Sequence, residues 1–327
     1  NVLVVAAASE HVTTLTVGIS GSAGEPGGAW DASVTGLFLT STTTAEIRGE
    51  SAATYARVMA GGNVLVSAAD DTVETGLAGS VAVDITEVGA GAGAGFVYTH
   101  IDKTTSAEIG PYAEVDAGGV SEAQVEGLSG EIDHDNRSFD AEWLVGVSVQ
   151  AQSTEKLVNV AVAAAGSDLV GVGGGVTYTN VSSDTTATIA AGAKVNQGDA
   201  QAEAAGAQSV NVSASNLVIV TDVGGGIAIG LLDVSGAVDV GIIRNTTHAS
   251  IEAGAEVTAT QDVSVYALTL RRINSSALNL GAGGVGIAGS VSVWALGDKL
   301  DSNYDTFMGG NDALSVQDNS DSSNPAY

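Results

Sequence analysis

The chain has 327 residues, with 44 glycines, no cysteine, 44% hydrophobic and only 4% aromatic residues. Its 38 acidic and 10 basic residues give a formal net charge of −28. This charge argues against binding of nucleic acid, which depends on neutralisation of phosphates by Lys and Arg, and against docking on anionic lipid. The absence of cysteine excludes a disulfide framework, and it suits a cytosolic protein as well as a chain that is exported unfolded.

The first predicted element is an alternating valine strand that ends in alanine, and this element recurs along the chain. Its copies begin at Val2, Val64, Val147, Val210 and Val263. A second pattern, a Thr-rich run followed by Ala-x-Ile, ends at Ile47, Ile109, Ile189 and Ile251. These isoleucines are 62 (47 to 109), 80 (109 to 189) and 62 (189 to 251) residues apart. Recurrence on this scale predicts a solenoid or another repeat array.

Between the two patterns, a Gly-rich stretch leads into a further alternating strand, as at Gly79 to Val83. Val, Ile and Thr at period two favour strands, because β-branched side chains pack well on a pleated surface. The best helical segment, residues 200–207, is short and rich in Ala and Gly, so we predict an all-β chain. Propeller signatures and Asn-Gly or Asp-Gly hairpin turns do not occur in the sequence, which favours a parallel β-helix over a propeller or an array of sandwiches.

Residues 1–298 are therefore predicted to form a β-solenoid shaft with super-repeats of roughly 60–80 residues. A coil of roughly 20 residues would give three to four coils in each super-repeat. On that basis the chain would form roughly fifteen coils and a rod of about 70 Å. The isoleucines of the Ala-x-Ile pattern should point into the core, three or four coils apart.

The longer middle interval places an insert at residues 116–143. This segment is acidic, with Glu131, Asp133, Asp135, Asp140 and Glu142 among its residues. Insertions in solenoids are usually surface loops, and such loops often form the binding face. The alternative is a solvated loop that the shaft merely tolerates.

The repeat resembles those of giant filamentous adhesins and autotransporter passengers of Gram-negative bacteria, especially the leukotoxin-like and haemagglutinin-like secreted proteins. The resemblance rests on the order V-x-V-x-A, a Gly-rich stretch with S-V-A-V, T-x-A-x-I and then G-A-x-V, as at Ala191–Val195 and Ala253–Val257. It covers about residues 1 to 298, although Pro111 and Tyr112 disturb one G-A-x-V step and the fifth copy lacks Ala-x-Ile. The resemblance implies an extracellular right-handed β-helix without catalytic residues.

The search for catalytic and metal-binding motifs assigns no catalytic, cofactor-binding or metal-binding residue. A G-x-G-x-x-G match at Gly281 to Gly286 has no βαβ unit around it. Calcium would suit the acidic segments, but Asp133-x-Asp135 lacks the glycine of an EF-hand loop. Some parallel β-helices cleave polysaccharides, and the carboxylates available for such an enzyme are Asp133, Asp135, Asp140 and Glu142.

Two further segments complete the interpretation of the chain. Residues 277–297 carry no charge, but their apolar residues alternate, so we interpret them as core strands and expect no membrane insertion. Residues 299–327 are rich in Asp, Ser and Asn and are predicted to be a tail or linker. The chain begins inside a repeat without a basic leader, which indicates a mature or excised piece, or a subunit whose first coil is covered by a neighbour.

The sequence thus predicts a structural and adhesive protein that is secreted or held at the cell surface. It would be a shaft segment of a large adhesin or a subunit of an extracellular filament or matrix. Its partners would be other copies or adjoining domains, end to end, together with a host-cell, surface or polysaccharide ligand of unknown identity. An enzyme that acts on carbohydrate is the alternative.

Overall fold

The computed structural model describes residues 1–24, 27–121, 123–198 and 204–297. These residues form strands and turns, which confirms the all-β prediction. The strands in chain order are β1 (Val2–Ser22), β2 (Gly27–Ile47), β3 (Ala56–Ala60), β4 (Val64–Asp84), β5 (Gly89–Ile109), β6 (Ala113–Ala117), β7 (Val125–Asp133), β8 (Ser138–Gly166), β9 (Val170–Ile189), β10 (Lys194–Val195), β11 (Gln208–Ile251), β12 (Glu256–Val257) and β13 (Val263–Leu296).

The strands wind into a parallel β-solenoid in which one repeat is one coil. A coil consists of a first long strand, a tight turn, a second long strand and a short third strand. Val2 pairs with Val64, and Ile47 pairs with Ile109, so residues 62 positions apart are direct neighbours in adjacent coils. The prediction of a parallel solenoid is confirmed. The prediction of three to four coils in each repeat is wrong.

The long strands explain this error. A coil of roughly 20 residues assumes short strands, whereas β4 and β5 alone contain 21 residues each. At about 3.3 Å per residue, such a strand is about 70 Å long. β13 begins a fifth coil, so at about 4.8 Å per coil the stack is about 24 Å tall. The 70 Å expected for the rod is therefore the width of one coil.

The three strands of each coil form three stacks. The first sheet contains β1, β4, β8 and residues 208–229, and the second contains β2, β5, β9 and residues 232–251. The short third sheet has the order β12-β10-β6-β3. Because β11 and β13 run through the turn without a break, each belongs to both long sheets. The first and second sheets lie face to face.

The interior changes character along each coil. At the corner closed by the short sheet it is apolar, with Val64, Ile109 and Val115 fully buried. In the middle it is polar, since Asp70, Thr72 and Glu74 follow on the inward face of β4. Towards the turn, which we call the tip, glycine and alanine dominate the inward face. We call the polar middle and the corner together the shaft side.

Close approach of the two sheets explains the glycines near the tip. A Cβ atom on Gly91 would lie 2.7 Å from the carbonyl oxygen of Gly166, and a Cβ on Gly93 would lie 2.7 Å from that of Ala164. Real Cβ atoms essentially never approach backbone so closely. The Gly-rich stretch of each repeat therefore permits two sheets to pack almost backbone to backbone.

The other sequence-based predictions have mixed outcomes. Ile47, Ile109 and Ile189 are buried in the core as predicted, but in adjacent coils rather than three or four coils apart. Residues 277–296 form part of β13, yet they are not core strands: residues 282–293 are exposed on both faces, because β13 is an edge strand that pairs with β11. Residues 299–327 and the first half of the helical candidate at 200–207 lie outside the described residues, and Gly206 and Ala207 form a turn.

Candidate functional site

Most of the insert at residues 116–143 is a β-hairpin rather than a loop, and this hairpin begins at Val125, whereas residues 116–117 belong to β6. β7 pairs antiparallel with the first part of β8, with a bulge between Leu128 and Ile132. The hairpin lies over the outer face of the first sheet, where Asn211 Nδ2 donates to Leu128 O at 3.0 Å and Ser148 Oγ donates to Glu126 O at 2.7 Å. The shaft thus carries one element that its repeat does not require.

The hairpin turn is held by Asp133. Its Oδ1 accepts the backbone N–H groups of Asp135 and Asn136, both at 2.9 Å, and its Oδ2 accepts Asn136 Nδ2 at 2.6 Å. The hydrogen bonds from Asn136 are the main cause of the lowered pKa of this carboxylate. The next turn residue, Arg137, has a φ of 57°, a left-handed conformation that is uncommon outside glycine. A strained arginine at a loop tip is a reasonable starting point for a binding hypothesis.

A cavity of about 280 Å³ lies beneath the hairpin tip. Its lining residues are basic or apolar: His134, Arg137, Leu217, Ile219, Leu270, Arg271 and Arg272. Among the described residues, the ion pairs involve Arg48, Arg57 and Lys103, and none involves the three arginines of the cavity. In a chain of net charge −28 this cavity therefore concentrates unneutralised positive charge. Chemically, it suits a carboxylate or sulfate group.

The carboxylates considered for a polysaccharide-cleaving enzyme do not line this cavity. Asp133 is engaged in the turn, Asp135 is exposed at the tip, and Glu142 is exposed further along β8. Asp140 lies between them on the hairpin. The structure thus places the four residues on one hairpin without a described cleft between them, whereas glycoside cleavage needs two carboxylates that face a shared substrate.

A second polar cluster lies inside the solenoid and was missed in the sequence. Lys103 on β5 is fully buried, and its Nζ lies 2.6 Å from Asp70 Oδ1 and 3.3 Å from Glu155 Oε1. The same Nζ donates to the backbone carbonyl oxygens of Asp70 and Thr154. Because Asp70 belongs to the second coil and Glu155 to the third, this ion cluster joins two coils.

The two carboxylates respond differently to this environment. Burial alone would raise the pKa of Asp70, but hydrogen bonds from Lys103, Ser41 and Thr43 outweigh burial and lower it. Burial dominates at Glu155, whose pKa is raised despite the nearby Lys103 charge. In the neighbouring coils, the position of Lys103 is occupied by Ser41 and Ser183. This departure from the repeat is the sequence signal that could have revealed the cluster.

A chain of buried hydrogen bonds continues from coil to coil beside this cluster. Thr99 Oγ1 donates to Glu74 Oε1 at 2.8 Å, Asn159 Nδ2 donates to Thr179 Oγ1 at 2.9 Å, and Thr179 Oγ1 donates to Asp222 Oδ2 at 2.5 Å. Burial raises the pKa of Glu74 to about 7, and burial also raises that of Asp222 to about 7, with the nearby Asp239 adding to the effect. Both groups are therefore largely protonated in mildly acidic solution.

Within the ranges given above, no group of three or more His, Asp or Glu residues is arranged to hold a metal ion. None of the described residues forms a helix long and apolar enough to cross a membrane. No protein-family model, curated protein or solved structure matches the chain.

Proposed function

We propose that the chain is a structural and adhesive extracellular β-solenoid, either a shaft segment of a large surface adhesin or a subunit of an extracellular filament or matrix. The observation that carries this proposal is the unbroken register of successive coils. Within the described residues, β1, β2 and β13 each pair along one edge. An open edge presents a row of unpaired N–H and C=O groups, which another coil of the same kind can extend. The partners would be copies or adjoining domains, end to end.

The hairpin supplies the adhesive contact in this proposal. Its basic cavity suits acidic polysaccharide, since Arg recognises carboxylate and sulfate groups through two parallel hydrogen bonds. Carbohydrate cleavage has less support, because the four carboxylates of the hairpin lie outside this cavity.

Electron microscopy of the purified chain, combined with a variant blocked at one edge, tests the proposal. The backbone N–H of Val2 donates to Asn63 in the next coil, so the N–H of an odd-numbered β1 residue faces the open edge. Ser9→Pro should therefore block extension without removing an internal hydrogen bond, and Ser9→Ala is its matched control. We expect fibres for the unchanged chain and for Ser9→Ala, and folded single particles for Ser9→Pro. Compact monomers of the unchanged chain at every concentration would contradict the proposal.

A further inference from the structure

The outer faces of both long sheets are apolar near the tip. On the first sheet, exposed outward positions include Leu15, Val17, Ile19, Val81, Ile227 and Leu280. On the second sheet they include Trp30, Val34, Val172, Val238 and Ile287, with Phe96 half-buried beside them. Parallel register places these side chains in rows that cross every coil, for example Ile19, Val81, Ala164, Ile227 and Leu280. We call this surface the apolar band.

Charge is excluded from the apolar band but not from the rest of the same faces. On the first sheet, no charged residue occurs in the outward rows from the Leu15 row to the tip. On the second sheet, none occurs in the outward rows from the Gly36 row to the tip. On the shaft side, the outward rows contain Asp71, Lys156 and Arg272 on the first sheet. The second sheet has Asp102 and Asp184 there. A highly charged chain thus keeps these outward rows uncharged, and the exposed acidic residues at this end, Glu87 and Asp168, lie in the turns beyond them.

The band has the same limit on both sheets. Thr16 Oγ1 and Thr35 Oγ1 meet across the interior at 2.6 Å, so the Leu15 row and the Gly36 row lie at one level. Aromatic rings lie at this level on the second sheet, where Tyr98 stacks on Tyr178 with centroids 5.1 Å apart. Phe38 packs on Tyr98 with centroids 5.0 Å apart.

The dimensions of the band match the hydrocarbon core of a bilayer. About ten residues of the second sheet, from Gly27 to Gly36, span about 30 Å at about 3.3 Å per residue. A hydrocarbon core is about 30 Å thick, and a strand that crosses it needs about 9–11 residues. With a stack about 24 Å tall, each face of the band covers about 700 Å². Such an area exceeds the largest apolar patch of a typical soluble monomer, about 300–600 Å².

The side chains in the interior behind the band are polar or small, as they are in membrane proteins that are built from strands. Asp84 is buried and accepts the N–H and the hydroxyl of Thr86, at 2.8 and 2.6 Å. Asp239 is buried and accepts Thr177 Oγ1 at 2.7 Å and Trp294 Nε1 at 2.8 Å. In strand proteins that span membranes, apolar side chains face lipid, polar side chains face inward and aromatic rings mark the interfaces.

We propose that the apolar band is embedded in the hydrocarbon core of a lipid bilayer, with the hairpin and the shaft side outside it. Lipid covers both faces up to the level of the Leu15 and Gly36 rows. The aromatic rings lie at this level, as expected for side chains that favour the membrane interface. A second copy of the chain would cover one face at a time and would not require matched limits. This inference replaces the sequence-based expectation of no membrane insertion.

The inference rests on the proposed function at one point. The open edges of β1, β2 and β13 would leave backbone groups unpaired in lipid, where each such group costs several kcal/mol. End-to-end extension by further coils pairs those groups. The embedded form is therefore a row of coils rather than a single isolated chain.

Tryptophan fluorescence with vesicles of zwitterionic phosphatidylcholine tests the depth of the band. Trp30 is 71% exposed on the band and Trp143 is 60% exposed on the hairpin. Phosphatidylcholine brominated along its acyl chains should quench the fluorescence of the full chain. In a Trp294→Phe background, which removes the third tryptophan, Trp30→Phe should remove most of that quenching, whereas Trp143→Phe should leave it unchanged. Equal quenching in the two variants would overturn the proposed orientation.

Flotation of the chain with the same vesicles tests which surface is responsible. Ile19→Glu on β1 and Val34→Glu on β2 place a charge on the band, and each should lower the bound fraction at least tenfold. Ser9→Glu and Thr42→Glu are matched controls on the outer faces of the same two strands, on the shaft side, and should bind like the unchanged chain. Circular dichroism establishes that all four variants fold.

The outcomes separate this inference from the proposed function. Fibres without flotation would overturn the inference and leave the proposed function standing. Flotation of single chains without end-to-end assembly would contradict both the proposed function and the embedded row of coils. A discrete oligomer that forms without lipid, does not float, and dissociates in Ile19→Glu would show that a second copy covers the band, and would overturn the inference.

Discussion

Lys103→Met should strongly destabilise the solenoid. Methionine keeps most of the length of the side chain but leaves Asp70 and Glu155 buried without their cation, and it removes donors to two backbone carbonyl groups. Breaking a buried ion pair from one side typically costs about 3–5 kcal/mol. At about 2–4 °C per kcal/mol for a large domain, the melting temperature should fall by roughly 6–20 °C.

Urea and thermal unfolding, followed by far-UV circular dichroism, measure this effect. Lys156→Met is the matched control, because Lys156 lies on β8 beside Glu155 but points outward and is exposed, and it should change stability by less than about 0.5 kcal/mol. The triple variant Lys103→Ser, Asp70→Asn, Glu155→Gln should recover much of the loss, since it removes all three buried charges and places at position 103 the serine that both neighbouring coils have. Equal effects of Lys103→Met and Lys156→Met would refute the reasoning.

Three further predictions concern the interior and the hairpin. Because burial raises the pKa of Glu74 and of Asp222 to about 7, the folded state binds their protons more tightly than the unfolded state. The free energy of unfolding should therefore decrease as pH rises towards 7, by about 1.4 kcal/mol per pH unit for each group. Urea titrations of Glu74→Gln should show a smaller decrease. A decrease equal to that of the unchanged chain would contradict the raised pKa of Glu74. Gly91→Ala should destabilise by about 1–3 kcal/mol in the same assay, because its Cβ would meet backbone, whereas Gly79→Ala has open space and should not; similar losses would argue against close sheet packing. Arg137→Gly should relieve the left-handed strain yet weaken binding of dextran sulfate in isothermal calorimetry, with neutral dextran as the control; unchanged binding would remove the hairpin cavity from the adhesive proposal.

The sequence was sufficient to predict the class of fold because its repeat consists largely of residues that face the apolar corner. Val64 and Ile109 belong to the recurring patterns, and the structure buries both completely. Register in a parallel stack places equivalent residues of successive coils directly beside each other, so a repeated inward side chain produces a repeated sequence. The length of one coil was not predictable in this way. The repeat gives the number of residues between equivalent positions, but it does not show how many coils that interval contains.

The candidate site was less predictable, since its residues interrupt the repeat instead of following it. The position of the insert was found from the uneven interval, but its antiparallel hairpin was not, because the turn at Asp133 to Arg137 uses an aspartate side chain and a left-handed arginine rather than Asn-Gly. Arg271 and Arg272 lie far from the hairpin in sequence and reach its tip only through the stacking of β13 on β11. Contacts of this kind depend on the path of the chain through successive coils.

The apolar band shows why alternation alone does not identify the buried face. In Gly79-Ser80-Val81-Ala82-Val83, period two assigns the valines to one face, and hydrophobicity assigns that face to the core. The structure does the reverse: Ala82 is buried, whereas Val81 and Val83 are exposed. The glycines decide the matter, since two sheets that nearly touch leave no room for valine between them, and the larger side chains must point outward. A stretch that alternates small inward residues with large apolar outward residues therefore has its apolar surface on the outside. Exposure of such a surface to water is unfavourable, so it is expected to bind lipid or protein.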